Sequence, residues 1–346
     1  MFTIFAFLFV LGVLIFIHEL GHFLAAKWMG VRVERFSLGF PPRMIGKKIG
    51  ETDYCISWIP LGGYVKLAGM IDEGLSGKIT GAPWEYHSRP PWQRFIIIFA
   101  GPAMNYLLAL AIFAGLIYVN GVSVPVGATI GDVKPGMPAD RAGLKPGDRV
   151  IRIHDRPVKR WDDFIDHVQA HPGQQIPVTV LRGRDTLTLA ITPKAEARLS
   201  TGAVGVRPLV HTRTVGLPTA LYLGFKQTLT LTFMAGEAIY HMVSGRESVK
   251  EGLAGPVGIA RMVGEAARLG MTPLFGFIGL LSLQLAFLNL LPIPALDGGH
   301  IALLLTEGVL RRPLSLKAKL VFQQIGMVLL LALMAFIVFN DIRKLL

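Results

Sequence analysis

The stretch Phe16-Ile-His-Glu-Leu-Gly-His22 holds three ionisable side chains, His18, Glu19 and His22, directly after a run, Met1 to Ile17, that carries no charge. On a helix, histidines four apart project from one face, one turn above the other. Glu19 is offset from His18 by about 100° at ~3.6 residues per turn, so it does not compete for the same position. Two neutral imidazoles can ligate Zn²⁺ while the adjacent carboxylate takes a proton from the activated water, which is the physical content of H-E-x-x-H. Zinc lowers the pKa of its water to about 7 and polarises a carbonyl. Glu19 would then deliver the proton to a leaving amine. The bland alternative is a pair of satisfied core histidines. Burying two histidines and a glutamate in hydrocarbon costs several kcal/mol unless they are paired or bind metal, and this favours ligation.

A catalytic zinc takes three protein ligands and keeps one open position. The third candidate is Asp297 in NLLPIPALDGGH, the only charged residue between Arg268 and Glu307. An Asp before Gly-Gly also suits a turn, and His300 is a competing ligand. Pro292 and Pro294 interrupt the helix and fix a non-helical path beside Asp297, which favours the aspartate.

The elements that must position these groups are membrane spans. Mean hydropathy is +0.50, 52% of residues are hydrophobic and 17% are charged, too apolar for an ordinary soluble domain. Four uncharged or nearly uncharged stretches approach the ~20-residue spanning length, 2–26, 95–119, 274–296 and 320–339. No basic residues precede the first, and no small-residue cleavage site closes it, so it reads as a span and not a cleavable leader. The net charge of +12 is spread beside the apolar segments, a pattern of membrane topology and not of nucleic-acid binding. Lys and Arg crowd the loops between spans one and two and between spans three and four, which puts those loops in the cytoplasm and both chain ends outside. The single Cys55 excludes an intramolecular disulfide framework.

Thr214 to Val243 is a weaker candidate, interrupted by Lys226 and Glu237, and its composition suits a helix in or near the interface. Parity agrees: His18 and Asp297 then both reach the cytoplasmic side, whereas a further crossing would separate them. Cys55 to Pro60 and Gly63 to Leu67 alternate about Leu61-Gly62 and read as a β-hairpin. Residues 120–206 alternate apolar and polar between Gly, Pro and Asp turns, with one helical stretch, WDDFIDHVQAH, and read as a soluble domain outside the membrane.

Three ordered motifs, HELGH in the first span, GPAMN (Gly101 to Asn105) in the second and NLLPIPALDGG in the third, resemble the site-2 protease family of intramembrane zinc metalloproteases. VERFSLGFPP and IPLGGYVKLAG resemble its bacterial, regulator-of-sigma-E protease branch. AGLKPGDRV, Ala142 to Val150, resembles the core of a bacterial PDZ domain, with GAVGV (202–206) in the position of its peptide-end loop. The best-known members carry two tandem PDZ domains, and there is room here for one.

The resemblance implies an α-helical polytopic membrane protein of four spans with a membrane-associated β-hairpin and an inserted extracytoplasmic α+β PDZ domain. Its domains would be 1–119 with the β-loop 31–70, the PDZ domain 120–206, an interfacial amphipathic region 207–270, and a second membrane half 271–346. It implies one Zn²⁺ held by His18, His22 and Asp297, with Glu19 as base. Asn105 would orient the Asp297 region or a ligand and, with Asn289, Pro292, Pro294, Gly63 and Tyr64, would form the substrate-binding set. For Asn105 and Asn289, interhelical hydrogen bonding is an equal alternative. The implied partners are membrane-spanning protein substrates, such as pre-trimmed anti-sigma factors or remnant signal peptides, a peptide or chain terminus at the PDZ domain, and the lipid bilayer of a bacterial inner membrane; no nucleic acid is implied. The rival readings are a prenyl-protein type of H-E-x-x-H protease, for which no later span supplies a convincing glutamate, and a non-catalytic scaffold with a structural metal. An unligated Glu19 beside the metal argues against the scaffold.

Overall fold

Uncharged runs near 20 residues become helices because a bilayer offers their backbone no water to bond. The first, α1 (Phe2–Trp28), leaves Phe5 and Phe9 exposed while burying Val10, Leu14 and Ala26. This is a computed structural model, and it describes residues 1–70, 80–196, 201–246, 255–312 and 314–345. The chain divides into two compact units, Met1–Ile117 with Leu217–Leu346, and Tyr118–Gly216. Within the described residues, four helices are long and apolar enough to cross a membrane: Phe2–Trp28, Pro91–Asn120, Met271–Asn289 and Lys317–Asp341.

After α1 come β1 (Val33–Ile49) and β2 (Thr52–Leu67), joined at Gly50, whose φ of +59° suits glycine. Their pairing differs from the expected hairpin about Leu61-Gly62. Residues 33–38 lie between two neighbours, with Val33 facing Leu67 and Leu38 facing Gly63 on one side, and Arg35 facing Asp53 and Leu38 facing Ile56 on the other. The outer leg of β1 pairs back from Arg43–Ser57 to Ile49–Thr52. The two arms expected to pair with each other therefore flank VERFSLGF. This segment is itself a strand, and its Val33 and Phe36 are buried against Ala26, Ile97 and Ile98. The helix α2 (Pro91–Asn120) crosses α1 closely. A side chain on Gly21 would collide with the Ala100 carbonyl, so the two backbones approach as only small residues allow.

The second unit is built like a soluble domain. Six strands, β3 (Val122–Val133), β4 (Arg149–Ile153), β5 (Arg156–Pro157), β6 (Ile176–Arg182), β7 (Asp185–Ile191) and β10 (Val206–Arg213), form an antiparallel sheet in the order β10-β3-β4-β6-β7, with β5 on β4. β8 (Lys194–Glu196) and β9 (Thr201–Ala203) pair separately. A short α3 (Pro138–Arg141) and an amphipathic α4 (Trp161–Ala170) cover a core of Ile130, Val150, Ile153, Phe164, Ile176 and Ile191, each no more than 1% exposed. Inside the AGLKPGDRV phrase, buried Asp148 takes 2.8 Å hydrogen bonds from Arg182 Nε and Nη2 and one of 2.9 Å from the Lys145 N–H. This domain runs ten residues past the expected boundary at 206. β10 pairs with β3 from Val206–Val133 to Arg213–Val122 and brings the two ends of the unit together. Its alternation is broken by Pro208, which displaces the register and hides the strand from a pattern reading.

The chain then forms α5 (Leu217–Val243), α6 (Pro256–Leu269), α7 (Met271–Asn289), α8 (Asp297–Leu310) and α9 (Leu316–Leu345). Residues 207–270 are thus not one interfacial region. Their first part is β10. α5 follows the bundle: Gly224 lies against Ala114, Leu231 joins Ala109, Phe113 and Leu283, and Gly236 faces Phe287. α6 packs its apolar side, Val263 foremost, on Ala6, Val10 and Leu14 of α1. The third span is also shorter than expected. α7 ends at Asn289, and Asp297 opens a new helix where a turn was expected.

Candidate metal centre

His18 and His22 stand on α1 with their Nε2 atoms 3.2 Å apart and rings at 84°. Asp297, in the first turn of α8, brings Oδ2 to 3.1 Å from His18 Nε2 and Oδ1 to 3.5 Å from His22 Nε2. Ligands about 2.0–2.1 Å from a tetrahedral zinc stand about 3.3 Å from one another. The three separations straddle that value. Oδ2 is buried, and with both imidazoles protonated at Nδ1 it has no donor among the described residues. Such an acceptor is costly unless something absent from the chain binds it. Among the described residues this is the only group of three or more His, Cys, Asp or Glu with ligand atoms that converge in this way. The residues therefore fit a zinc ion.

Hydrogen bonds on the far side of each imidazole orient it. His22 Nδ1 lies 2.9 Å from the Ile97 carbonyl of α2, so Nδ1–H donates there and Nε2 keeps its lone pair for a metal. The Asn105 amide sits 3.3 Å from His18 Nδ1, and its Oδ1 is otherwise buried without a partner. We assign the amide with oxygen toward the ring: His18 Nδ1–H then donates to Oδ1, which avoids setting the amide N–H against the ring N–H. Asn105 is held in turn by Ser282 of α7, whose hydroxyl donates to its carbonyl at 2.8 Å. Gly101 completes the fit, because any side chain there would occupy the His22 ring.

The approach of Asp297 depends on its neighbours. From Leu290 to Leu296 the chain leaves helical geometry, with Ala295 in the left-handed region at φ 71°. Side chains on Gly298 or Gly299 would strike the carbonyls of Leu290, Leu291 and Ile293, so the glycines let α8 start against that loop.

Glu19 is half-buried. A Cβ on Gly63 would come within 3.1 Å of its Cγ and also press on Ile15, so the bare backbone at Gly63 lies against the Glu19 side chain. The remaining expected substrate residues separate into different surroundings. Tyr64 turns to Arg35, whose guanidinium donates to its hydroxyl at 3.1 Å. Pro294 packs on Gly326 of α9, Pro292 is exposed, and Asn289 is half-buried with no side-chain hydrogen bond among the described residues. His300 pairs with Gln323 of α9 at 3.2 Å, away from the three ligand atoms. Pattern reading missed Ser282 and the Ile97 carbonyl. A serine inside an uncharged span is a visible signal; a backbone carbonyl leaves none.

The Peptidase family M50 pattern matches residues 6–333. A protein of Clostridium perfringens strain 13 named "Putative zinc metalloprotease" is 35% identical, covering 99% of this chain and 98% of its own. Proteins with the same descriptive name from Brucella suis biovar 1 and Agrobacterium fabrum are 35% and 36% identical, each covering 98% of this chain and 95% of its own. The PDZ domain of an SdrC-like protein from Listeria innocua aligns with 26% of the chain and 99% of its own at 24% identity, with a TM-score of 0.22, too low to argue from.

Proposed function

The chain belongs to peptidase family M50, the site-2 type, and is a membrane zinc metalloprotease; from that premise we propose that it is an endopeptidase that cuts the transmembrane segments of single-span proteins. His18, His22 and Asp297 hold the zinc, and Glu19 is the general base. The observation that carries the reading is the convergence of the three ligand groups around a buried, donorless Asp297 Oδ2. Zinc, when bound, supplies a Lewis acid for the scissile carbonyl and for water at neutral pH. Glu19 accepts the proton of the attacking water and returns it to the leaving amine. Asn105 and the Ile97 carbonyl hold the two imidazoles in the tautomer that presents Nε2.

A transmembrane helix shields its carbonyls in its own hydrogen bonds, so the substrate must unwind before attack. The leg 63–67 pairs with residues 33–38 on one side. Its other edge offers ladder groups to a substrate in extended form, as in strand addition. Gly63, against Glu19, then lets that strand pass close to the base. Asn289, with an unengaged amide near the end of α7, is available to a substrate carbonyl. Pro292 and Pro294 shape the adjoining loop.

The zinc face lies toward the cytoplasm of a bacterial inner membrane, and the 118–216 unit is an extracytoplasmic PDZ-like module that takes a peptide or chain terminus and admits trimmed substrates. Because Val122 pairs with Arg213, residues 122–213 can be replaced by a short linker, and selectivity for trimmed over intact substrate should fall. Unchanged selectivity would remove the gating role. The central assay is cleavage of a single-span protein in liposomes with and without a chelator, the cut mapped by mass spectrometry. A chelator-sensitive cut inside the apolar span supports the reading, and a cut confined to soluble segments sinks it.

A further inference from the structure

The helix that brings Asp297 to the histidines is sparsely keyed into the fold. The buried residues of α8 are Gly298, Gly299 and Glu307, and Leu305, Val309 and Leu310 are exposed. The glycines let α8 start against the preceding loop, but without side chains they do not fix how the helix is turned about its axis. Ile301 adds a half-buried contact to the Ile97–Ile98 cluster, and His300 a neutral hydrogen bond to Gln323. Glu307 is the only charged side chain of α8 besides Asp297. It is 6% exposed and engaged on both oxygens. Oε1 accepts from Lys319 Nζ of α9 at 2.6 Å and from the Leu314 N–H at 3.0 Å, and Oε2 accepts from Arg94 Nη1 of α2 at 3.3 Å.

We propose that Glu307 is a positioning residue for the metal centre: by pinning the far end of α8 to α2 and α9, it sets the turn of α8 that aims Asp297 at His18 and His22. The proposal rests on those three residues being the zinc ligands. Glu307 lies ten residues from Asp297, about 15 Å along the axis at a rise of ~1.5 Å per residue, and a helix of this length transmits a turn at one end to the other. A turn of about 10° moves a side-chain tip about 5 Å from the axis by roughly 0.9 Å, whereas a working site tolerates about 0.5 Å. α2 also supplies the Ile97 carbonyl and Asn105, so the Arg94–Glu307 pair ties the helix bearing the third ligand to the helix that orients the first two. Charge makes the tie specific. Without Glu307, Arg94 and Lys319, only 12% and 18% exposed, would face each other with no counterion, and their repulsion would part α2 from α9. His87, which lines the same small cavity, does not add to the charge, because burial and the nearby Lys319 and Arg94 push it down to about 4.

The test uses the full chain in detergent and three readouts: zinc affinity by chelator competition, the visible spectrum of the Co²⁺-loaded protein, and a distance in the metal-free protein between spin labels at Leu107 of α2 and Leu305 of α8, both exposed, in a Cys55→Ser background. Glu307→Gln keeps the shape and removes the charge. It should weaken zinc at least tenfold, dim the cobalt bands as a four-coordinate ion takes up water in place of Asp297, and shift or broaden the label distance. Glu307→Asp keeps the charge and should recover most of the affinity and the spectrum, which a loss of general stability would not distinguish in this way. If Glu307→Gln does not fold, Lys319→Gln leaves Glu307 with Arg94 and the Leu314 N–H, and a smaller loss in the same direction is expected. His18→Ala/His22→Ala should abolish zinc binding; if it binds zinc as the wild type does, the ligand reading fails, and the hold of Glu307 on α8 is decided by the label distance alone. Wild-type affinity and cobalt spectrum in the Glu307 or Lys319 variant that folds, or a label distance equal to wild type, overturn the proposal.

Discussion

Asp148 of one unit is fully buried and Asp297 of the other is 15% exposed, and the two are treated differently by their surroundings. Asp148 receives three hydrogen bonds from its own chain, two of them a fork from Arg182. Asp297 faces two imidazole nitrogens and still keeps an oxygen with no donor. The first carboxylate is complete within the polypeptide, and the second is incomplete without something added. A completed buried pair organises a fold, and an uncompleted one marks a place where the fold gives up stability for chemistry.

Exchanging the two residues' fates is the sharpest way to break that contrast. Asp297→Ala should abolish cleavage to the uncatalysed background and remove the membrane-site zinc, and the variant should lose the rise in unfolding midpoint that zinc gives the wild type. A variant that keeps its zinc and its activity would put the third ligand elsewhere. Asp148→Ala should do the reverse. Removing the acceptor of Arg182 and the Lys145 N–H should destabilise the 118–216 unit, read as faster hydrogen exchange along β6, with the membrane-site zinc still bound.

Asn105→Ala sharpens the comparison from within the membrane. His18 Nδ1 would lose its orienting partner, and zinc affinity or turnover should fall about 10–100-fold, with most activity restored by Asn105→Gln only if the amide oxygen reaches the ring again. The smallest effect is one of pH. Burial tends to raise the Asp148 carboxyl, but the Arg182 fork and the Lys145 N–H outweigh it and hold the group below its ordinary 3.8. A depressed carboxylate stabilises fully above the ordinary value, and that stability is lost as pH falls through the lowered one. Protection of β6 amides should therefore weaken only below about pH 4, and Asp148→Asn should remove that dependence.

The site was more legible in the sequence than the frame around it. Four apart is a helical spacing whatever the fold, so His18 and His22 could be paired from the chain alone, and Asp297 stood out as a lone charge in an apolar stretch. The spans were legible because hydrocarbon demands length and apolarity and little else. What remained hidden depends on contacts distant in the chain. LDGG reads locally as a turn, yet Gly298 and Gly299 serve to let a helix begin against a loop carbonyl. Residues 55–60 and 63–67 read locally as each other's partners, yet both arms of β2 pair with VERFSLGF, which lies between them in the sheet. The Ile97 carbonyl that sets the His22 tautomer belongs to no side chain, and no residue type could announce it.

The central claim is that Glu19 does the proton chemistry beside a zinc it does not hold. Glu19→Gln keeps the shape of the side chain and removes its basicity, and the variant should be assayed in liposomes for bound zinc and for cleavage of a single-span substrate. The account predicts zinc content equal to wild type and cleavage slower by about 10²–10⁴-fold; cleavage at the wild-type rate with zinc in place would contradict it.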